Sequence, residues 1–577
     1  MSAGIDPIST EVIRNAFNAI AEDMSAALGR SAFSPVIYES HDYGVALFNE
    51  RVETLGQAPG HPFFIGGLDS GVKAVIEKYG LDRLQEGDVF TVNDSYITGG
   101  HLNDVDVVSV LSYRGEVVGF AAIRAHWLDV GMAEPGFPVN TTEIFQEGVR
   151  WGATKILSEG EWVQDVLDLL LLNSRAPKTL MGDLSAQVAA ARMGERRYRD
   201  LIRRFGLDVV RGCTKKIFEA TEKKYRDFIA SIPDGVYEAE GYADDDFVTR
   251  DPIRVKVTVT VAGDGMTIDT TGSAKQCRGN VNCGFPNTVS AARLALAFLF
   301  PSPRPEVNHG SFLPLSVVAE PGSVFAALEP AACMHPHPGM LMLDLVIKAL
   351  APVLPRNVAA GLPGDSWNVF VMGKRPESGE LFVSGEALDG GWGACATGDG
   401  ESALIHSAAG DFRNVPVETL EGRFPLRVKS FRLGRDSAGP GKHRGGLNVV
   451  KEYEVQSDCR LTLHFDRALT PQWGLFGGGE GARPGVTVFP SEGKEPVEIL
   501  KVEQLPLGKG DRFVCETGGG GGYGNPLERD PEDVRLDFLD GYVSREAALE
   551  DYGVVLDERG GIDIEKTAQR RSQIAVG

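Results

Sequence analysis

The sequence predicts a mixed α+β protein of several domains, with antiparallel sheets and helical inserts. Three observations predict it. Some stretches repeat apolar residues at helical spacing and others alternate them with polar ones, and the chain switches between the two patterns several times. Its 577 residues suffice for about three to five compact units at roughly 100–200 residues each. Its 70 glycines and 32 prolines call for many turns.

The elements follow in order. Residues 10–29 read as an amphipathic helix with Val12, Ile13, Phe17, Ile20, Met24 and Leu28 on its apolar face. From there to about residue 156 the text is strand-like and broken by Gly and Pro, as in GDVFTVNDSY and YRGEVVGFAAIRAH. Residues 160–231 turn helical, ending in a long charged helix pair. IRVKVTVTV and MTIDTTGS suggest antiparallel sheet, and alanine-rich or apolar helices follow at 288–299 and 339–353. Residues 410–525 are mostly short strands with glycine turns. A helical appendage then starts with Asp530 as N-cap and Pro531 at the first helical position. These switches divide the chain into 1–159, a helical segment 160–235, a central region 236–409, a β-rich region 410–526 and the appendage 527–577.

Composition excludes several functions. A net charge of −22 is wrong for phosphate backbones and for anionic membrane surfaces. No run approaches the ~20 apolar residues of a membrane span, and MSAGIDPISTEV lacks a basic-then-apolar signal. The seven cysteines are scattered without a CxxC, as expected of reduced thiols in a cytoplasmic protein. No G-x4-G-K-[ST] occurs, because the Gly-Lys pairs at 373, 441, 493 and 508 are followed by Arg, His, Glu and Gly. TGGGGGYGNP contains a GxGxxG, but Asn525-Pro526 follows where a dinucleotide-binding helix would open.

One stretch carries chemistry. GGHLNDVDVV leads into DVVSVLS-YRGE-VVGFAAIRAH, a hairpin signature. With Arg114-Gly115 as a two-residue turn, paired positions sum to about 229, and His126 falls opposite 103, between His101 and Asp104. Cross-strand Cβ atoms lie about 4.5–5.5 Å apart, so two imidazoles and a carboxylate converge. That is a ligand set for a catalytic divalent ion. It also suits a polar hairpin end whose histidines bond to nearby backbone, and the pattern alone leaves both readings open. His335 and His337 in MHPHPGM read as a turn or a further metal or substrate contact. DSAGPGKHRGG reads as a solvated turn or an anion loop, and CRGNVNCGFPN as a polar loop near a substrate.

Together, VNDSYITGGHLNDVDVV, AHWLDVG, TEIFQEGVRW, TGSAKQCRGNVN, DSAGPGKHRGG and TGGGGGYGNP resemble the hydantoinase B/oxoprolinase family over almost the whole chain. That family holds the B or β subunits of ATP-dependent hydantoinases and caprolactamase, with relatives in acetone and acetophenone carboxylases and fused 5-oxoprolinases. The resemblance implies a partner A (α) subunit of actin-like fold, which binds ATP and phosphorylates the substrate carbonyl, in an α2β2 heterotetramer. Carboxylase members hold a metal with a histidine, an aspartate three residues on and a histidine 25 residues on. His101, Asp104 and His126 match those spacings, and the resemblance adds Asp42, although ESHD here lacks the family's preceding arginine. It thus implies Zn²⁺ or Mn²⁺ on Asp42, His101, Asp104 and His126; the nearby acids Asp129 and Glu147 read separately as supporting residues or general base. The expected reaction is hydrolysis of a lactam or hydantoin by a metal-activated water after phosphorylation has removed amide resonance. The alternative is a subunit of an ATP-dependent ketone carboxylase.

Overall fold

The computed structural model describes residues 5–134, 137–491 and 493–576. Its helices and four sheets form the α+β architecture that the alternating patterns predict. The first sheet runs β2-β1-β5-β4-β3-β6-β7. Its strands are β1 (Tyr43–Asn49), β2 (Thr54–Gln57), β3 (Val89–Val92), β4 (Asp104–Tyr113), β5 (Glu116–His126), β6 (Thr154–Ser158) and β7 (Glu161–Trp162). Every pair in it is antiparallel.

Both faces of this sheet are covered, which is why its central strands read as near-continuous apolar runs. On one face the helices Pro7–Ser31 and Pro177–Phe205 pack Phe17, Ala186 and Ala190 against Val45, Leu47 and Ile123. On the other, Leu68 and Val72 of the helix Pro62–Tyr79 meet Phe48, Val108 and Phe120. The sequence reading gave strand across this 18-residue helix. Its glycines explain the difference, because they serve packing. A Cβ at Gly66 would meet Ser290 Oγ at 2.1 Å, and one at Gly71 would meet Asp106 Oδ2 at 2.3 Å.

The second sheet contains β8 (Gly235–Ala243), β9 (Ile253–Ala262), β10 (Gly265–Asp269) and β11 (Leu315–Val318). Only its β10–β11 pair is parallel. It packs on the helices Phe285–Leu299 and His337–Leu350 in one core. A third sheet runs β13-β12-β16-β19 and a fourth β14-β15-β20-β17-β18. The third comprises β12 (Asn368–Lys374), β13 (Leu381–Ala387), β16 (Cys459–His464) and β19 (Lys501–Leu507). The fourth comprises β14 (Leu426–Leu433), β15 (Val449–Val455), β17 (Gly485–Phe489), β18 (Val497–Glu498) and β20 (Arg512–Glu516). They share one core, in which Trp367, Leu461 and Phe465 meet Tyr453 and Phe513.

After β20 the five glycines 518–522 enter a layer of extended glycine segments. Gly518, Gly520 and Gly521 accept from Gly391, Gly439 and Ala394, while Gly520, Gly521 and Gly522 donate to Gly446, Gly361 and Gly479. Side chains have no room here. A Cβ at Gly519, Gly520, Gly521 or Gly522 would lie 1.7–2.1 Å from a backbone oxygen. This is the collagen logic of an axis that only glycine fits. DSAGPGKHRGG joins the same layer through its glycines, while Asp436 and Lys442 at its surface stay exposed. Gly439, Gly445 and Gly446 are buried in it, and the Arg444 guanidinium is paired with Asp537 and Asp399.

The helices Pro531–Leu539, Arg545–Glu550 and Ile564–Val576 close the chain, and Asp530 accepts from Glu532 N at 2.9 Å as the predicted N-cap. Among the described residues no helix is long and apolar enough to cross a membrane. The seven cysteines are unpaired.

Asp183 ties this scaffold to the loop after the first helix: its Oδ1 accepts from Phe33 N at 2.7 Å and Ser34 N at 3.0 Å. Burial pushes its carboxyl up to about 6. A raised carboxylate pKa means that the folded state resists ionisation. Stability is therefore lost as pH rises from about 4 to about 6, by about 3 kcal/mol at 1.36 kcal/mol per unit. Asp183→Asn keeps the accepting oxygen and removes the charge. At pH 7.5 its melting temperature is expected to match or exceed the parent's, and the gain should vanish near pH 4. Asp183→Ala, lacking the acceptor, should melt lower at both.

Candidate metal centre

The hairpin forms where the sequence placed it. Arg114 and Gly115 have φ of 54° and 79°, the paired positive values of a type I′ turn. Tyr113↔Glu116 and Ser112↔Val117 keep the expected register. A bulge then leaves Val118 unpaired, and Leu111 faces Gly119. Every later pair is displaced by one, so His126 stands opposite Asp104, where the sequence reading put it opposite Asn103. A Cβ at Gly119 would meet Phe48 O at 2.2 Å, which keeps this corner of the bulge glycine-only.

Gly99 and Gly100 set the other end. Gly99, at φ 83°, ends the short helix Ser95–Thr98, and a Cβ there would meet Asn287 N at 2.3 Å. A Cβ at Gly100 would lie 2.6 Å from Asp104 Oδ2. That oxygen instead accepts from His101 N at 3.2 Å. Asp104 Oδ1 is left facing His101 Nδ1 at 3.2 Å and His126 Nδ1 at 3.3 Å. Asp42 arrives from the start of β1, which pairs with β5, and its backbone oxygen accepts from His126 N at 3.1 Å. Its Oδ2 lies 3.9 Å from His126 Nδ1. The preceding His41, at φ 60°, turns away to Asp411, with Nδ1 at 3.1 Å from Oδ2.

These distances suit a cation. Donors about 2.1 Å from one ion lie about 3.0–3.4 Å from each other. Asp42 Oδ1 and His101 Nδ1 are buried with no hydrogen-bond partner, which a shared ion would remedy. With an ion bound, two carboxylates and two neutral imidazoles would balance a divalent charge. Without one, burial works against a charged His126 imidazole, but the Asp104 hydrogen bond and the Asp42 and Asp104 charges outweigh it and raise this imidazole above its ordinary value. Burial pulls His101 down to about 4 and so keeps it a neutral ligand. Burial likewise opposes the charge on Asp104, but His101, His126 and Arg124 outweigh it and hold this carboxyl below its ordinary value. Asp42 is pushed up to about 7 by burial, against the pull of His126.

The four side chains line one cavity with Arg124 and Phe137. Arg124 is paired with Asp106, Nε to Oδ1 at 2.6 Å and Nη2 to Oδ2 at 3.0 Å. Phe137 stacks on Phe370 at 5.1 Å and supplies an apolar wall. His335 and His337 line the same cavity, together with His61 and His406, which the sequence reading did not single out. No local pattern marks those two, because each reaches the cavity only through tertiary packing.

Asp129 and Glu147 do not line it. Asp129 binds the Arg175 guanidinium at 3.0 Å and accepts from Arg175 N and Gly131 N. Glu147 is fully buried and accepts from Thr141 Oγ1 at 2.9 Å and from Cys333 N and Met334 N at 3.0 Å. It therefore fastens the segment that leads into His335. The loop 277–287 does the same from the other side: Asn282 donates to Ala332 O at 2.8 Å and Asn280 O accepts from His335 N at 2.8 Å.

A sequence model of the family described as Hydantoinase B/oxoprolinase matches residues 6–526. The chain belongs to this family. This hydantoinase B-family chain is 33% identical over 590 residues to the B subunit of a putative D-/L-hydantoinase from Pseudomonas sp. strain NS671, covering 98% of each. It is 29% identical to the beta subunit of the caprolactamase of Pseudomonas jessenii, covering 98% of this chain and 99% of that one. The crystal structure of ATP-dependent caprolactamase from Pseudomonas jessenii superposes with a TM-score of 0.92 at 28% identity, over 98% of this chain and 99% of that one. A nucleotide-free acetone carboxylase structure shares the fold, with a TM-score of 0.90 at 19% identity over 99% of this chain and 83% of that one.

Proposed function

We propose that this chain is the B (β) subunit of an ATP-dependent cyclic amidase, hydrolysing a lactam or hydantoin of caprolactam, hydantoin or 5-oxoproline type. A partner A (α) subunit of actin-like fold would bind ATP and phosphorylate the ring carbonyl, in an α2β2 assembly. The observation that carries this reading is the convergence of Asp42, His101, Asp104 and His126 in one buried cavity. The relatives named as hydantoinase and caprolactamase subunits support it.

Those four residues would hold Zn²⁺ or Mn²⁺, and such an ion supplies Lewis acidity and brings a water's pKa toward about 7. The chain's other residues prepare the site. Arg124, held by Asp106, adds a smaller pull to those of His101 and His126 that keep the Asp104 carboxyl below its ordinary value, without spending a hydrogen bond on it. Phe137, Phe370 and Met340 give the cavity apolar walls against which a small ring would pack. Glu147 positions the segment 333–337, and Asp129 holds the loop around 131 through Arg175.

The test is reconstitution with the partner subunit and ATP, following ring opening of caprolactam, a hydantoin and 5-oxoproline. Turnover without bicarbonate supports the amidase. Turnover only with bicarbonate and a ketone would establish the carboxylase instead. Burial raises the Glu147 carboxyl to about 8, so it is protonated near neutral pH. Glu147→Gln is expected to keep kcat within about tenfold, whereas loss of a general base costs about 10²–10⁴-fold. Steady-state kinetics on the reconstituted complex distinguishes the two.

A further inference from the structure

Beside the hairpin centre the cavity meets a second cluster, with no residue in common. His335 lies just before the helix His337–Leu350, His337 opens that helix, and His464 comes from the end of β16. Their rings lie at 4.1 Å for His335–His464, 4.2 Å for His337–His464 and 5.4 Å for His335–His337, within 13–16° of parallel, so the His335 or His464 ring must turn about its Cβ–Cγ bond for three in-plane lone pairs to meet on one ion. All three are 1–3% exposed. One nitrogen from each lies within 4.8 Å of the others.

Buried imidazoles ordinarily satisfy their nitrogens with protein or water partners. Here His335 Nδ1 and Nε2, His337 Nδ1, and His464 Nδ1 and Nε2 have none. The exception explains the rest. His337 Nε2 lies 2.9 Å from Asp365 Oδ1. Asp365 is fully buried and fixed by Ser366 N and Asp466 N. A carboxylate behind one ring nitrogen fixes the tautomer and leaves the other nitrogen as a ligand, the arrangement found behind metal-binding histidines.

The chemistry excludes an anion. Lys501, whose field reaches His464, is already paired with Asp466 at 2.9 Å and Asp245 at 3.3 Å. Asp365 would repel a negative ligand. Three neutral nitrogen donors suit Zn²⁺ and its nitrogen-preferring neighbours, and not Mg²⁺ or Ca²⁺.

We propose that His335, His337 and His464 form a second cation site, a three-imidazole seat for Zn²⁺ or a similar divalent ion, with Asp365 positioning His337. Its three ligands leave a coordination position for water or a substrate atom. Both clusters abut the Phe137 ring, His101 at 5.0 Å and His335 at 4.5 Å, so both centres would face one bound ligand.

The experiment titrates metal-free wild-type chain with Zn²⁺ and counts tightly bound ions by mass spectrometry. Two equivalents are expected in the wild type, one in His335→Gln/His464→Gln and one in His101→Ala/His126→Ala. Co²⁺ added to His101→Ala/His126→Ala should show visible absorption of a nitrogen-ligated ion. Adding His464→Cys to that variant should bring a thiolate-to-cobalt band. One equivalent in the wild type overturns the reading of two occupied sites whether or not any variant folds. If that ion survives His335→Gln/His464→Gln, the hairpin centre stands alone. Loss of a single wild-type ion in those variants, with retention in His101→Ala/His126→Ala, would instead remove the hairpin reading and keep the three-histidine seat.

Discussion

Ring opening by the reconstituted enzyme is expected to fall by about 10³-fold or more when His101 and His126 are both replaced by alanine. The two imidazoles and Asp104 Oδ1 lie within 3.2–3.3 Å contacts, so loss of both leaves only carboxylates to hold an ion. A catalytic divalent ion contributes several kcal/mol to the transition state, and about 4 kcal/mol corresponds to about 10³-fold in rate. The fold should survive. His126 closes its hydrogen bond to Asp42 through its backbone, and the hairpin is fixed by ten register pairs from Asp104↔His126 to Tyr113↔Glu116. ATP turnover at the partner subunit should therefore become uncoupled from ring opening, while circular dichroism and melting temperature stay near the parent's. Retention of more than a tenth of the ring-opening rate would contradict the role given to these histidines.

The largest stability loss is expected from one methyl group. In Gly520→Ala the new Cβ would sit 1.9 Å from Trp392 O. That oxygen cannot swing aside freely, because it accepts from Gly446 N at 2.8 Å, and Gly446 O in turn accepts from Gly520 N at 2.9 Å. Relieving the clash breaks bonds on both sides of a buried layer, at a cost of about 3 kcal/mol or more. The variant should melt far lower or accumulate as insoluble chain. Gly422→Ala provides the control. It lies in the helix Val417–Arg423 with nothing within 4 Å of its Cβ position, and should be neutral or stabilising by up to about 1 kcal/mol. Equal soluble yield and melting temperature for both variants would contradict the packing described for 518–522.

What could be read from the sequence depended on how local each signal was. The Arg114-Gly115 turn and the Asp530-Pro531 helix start follow from backbone chemistry within two residues, and both are present. The meeting of His101, Asp104 and His126 followed from that turn. The one-residue register change did not, because the bulge at Val118 is decided by strand contacts around Gly119. The helix Pro62–Tyr79 was hidden because Gly66, Gly67 and Gly71 lower its helical signal for the sake of close packing. The glycine run 518–522 looked like loop text for the same reason. Its meaning lies in neighbours more than 70 residues away, such as Gly391, Gly439 and Gly446. His335 and His337 were visible as a pair, but His464 ends an ordinary strand, and only the sheet brings it to them.

The most direct measurement is the difference in tightly bound Zn²⁺ or Mn²⁺ between purified wild-type chain and His101→Ala/His126→Ala. A difference of about one ion per chain, with both proteins folded, is the predicted result. Equal metal content in the two, with full ring-opening activity in the wild type, would contradict it and leave GGHLNDVDVV as a structural turn.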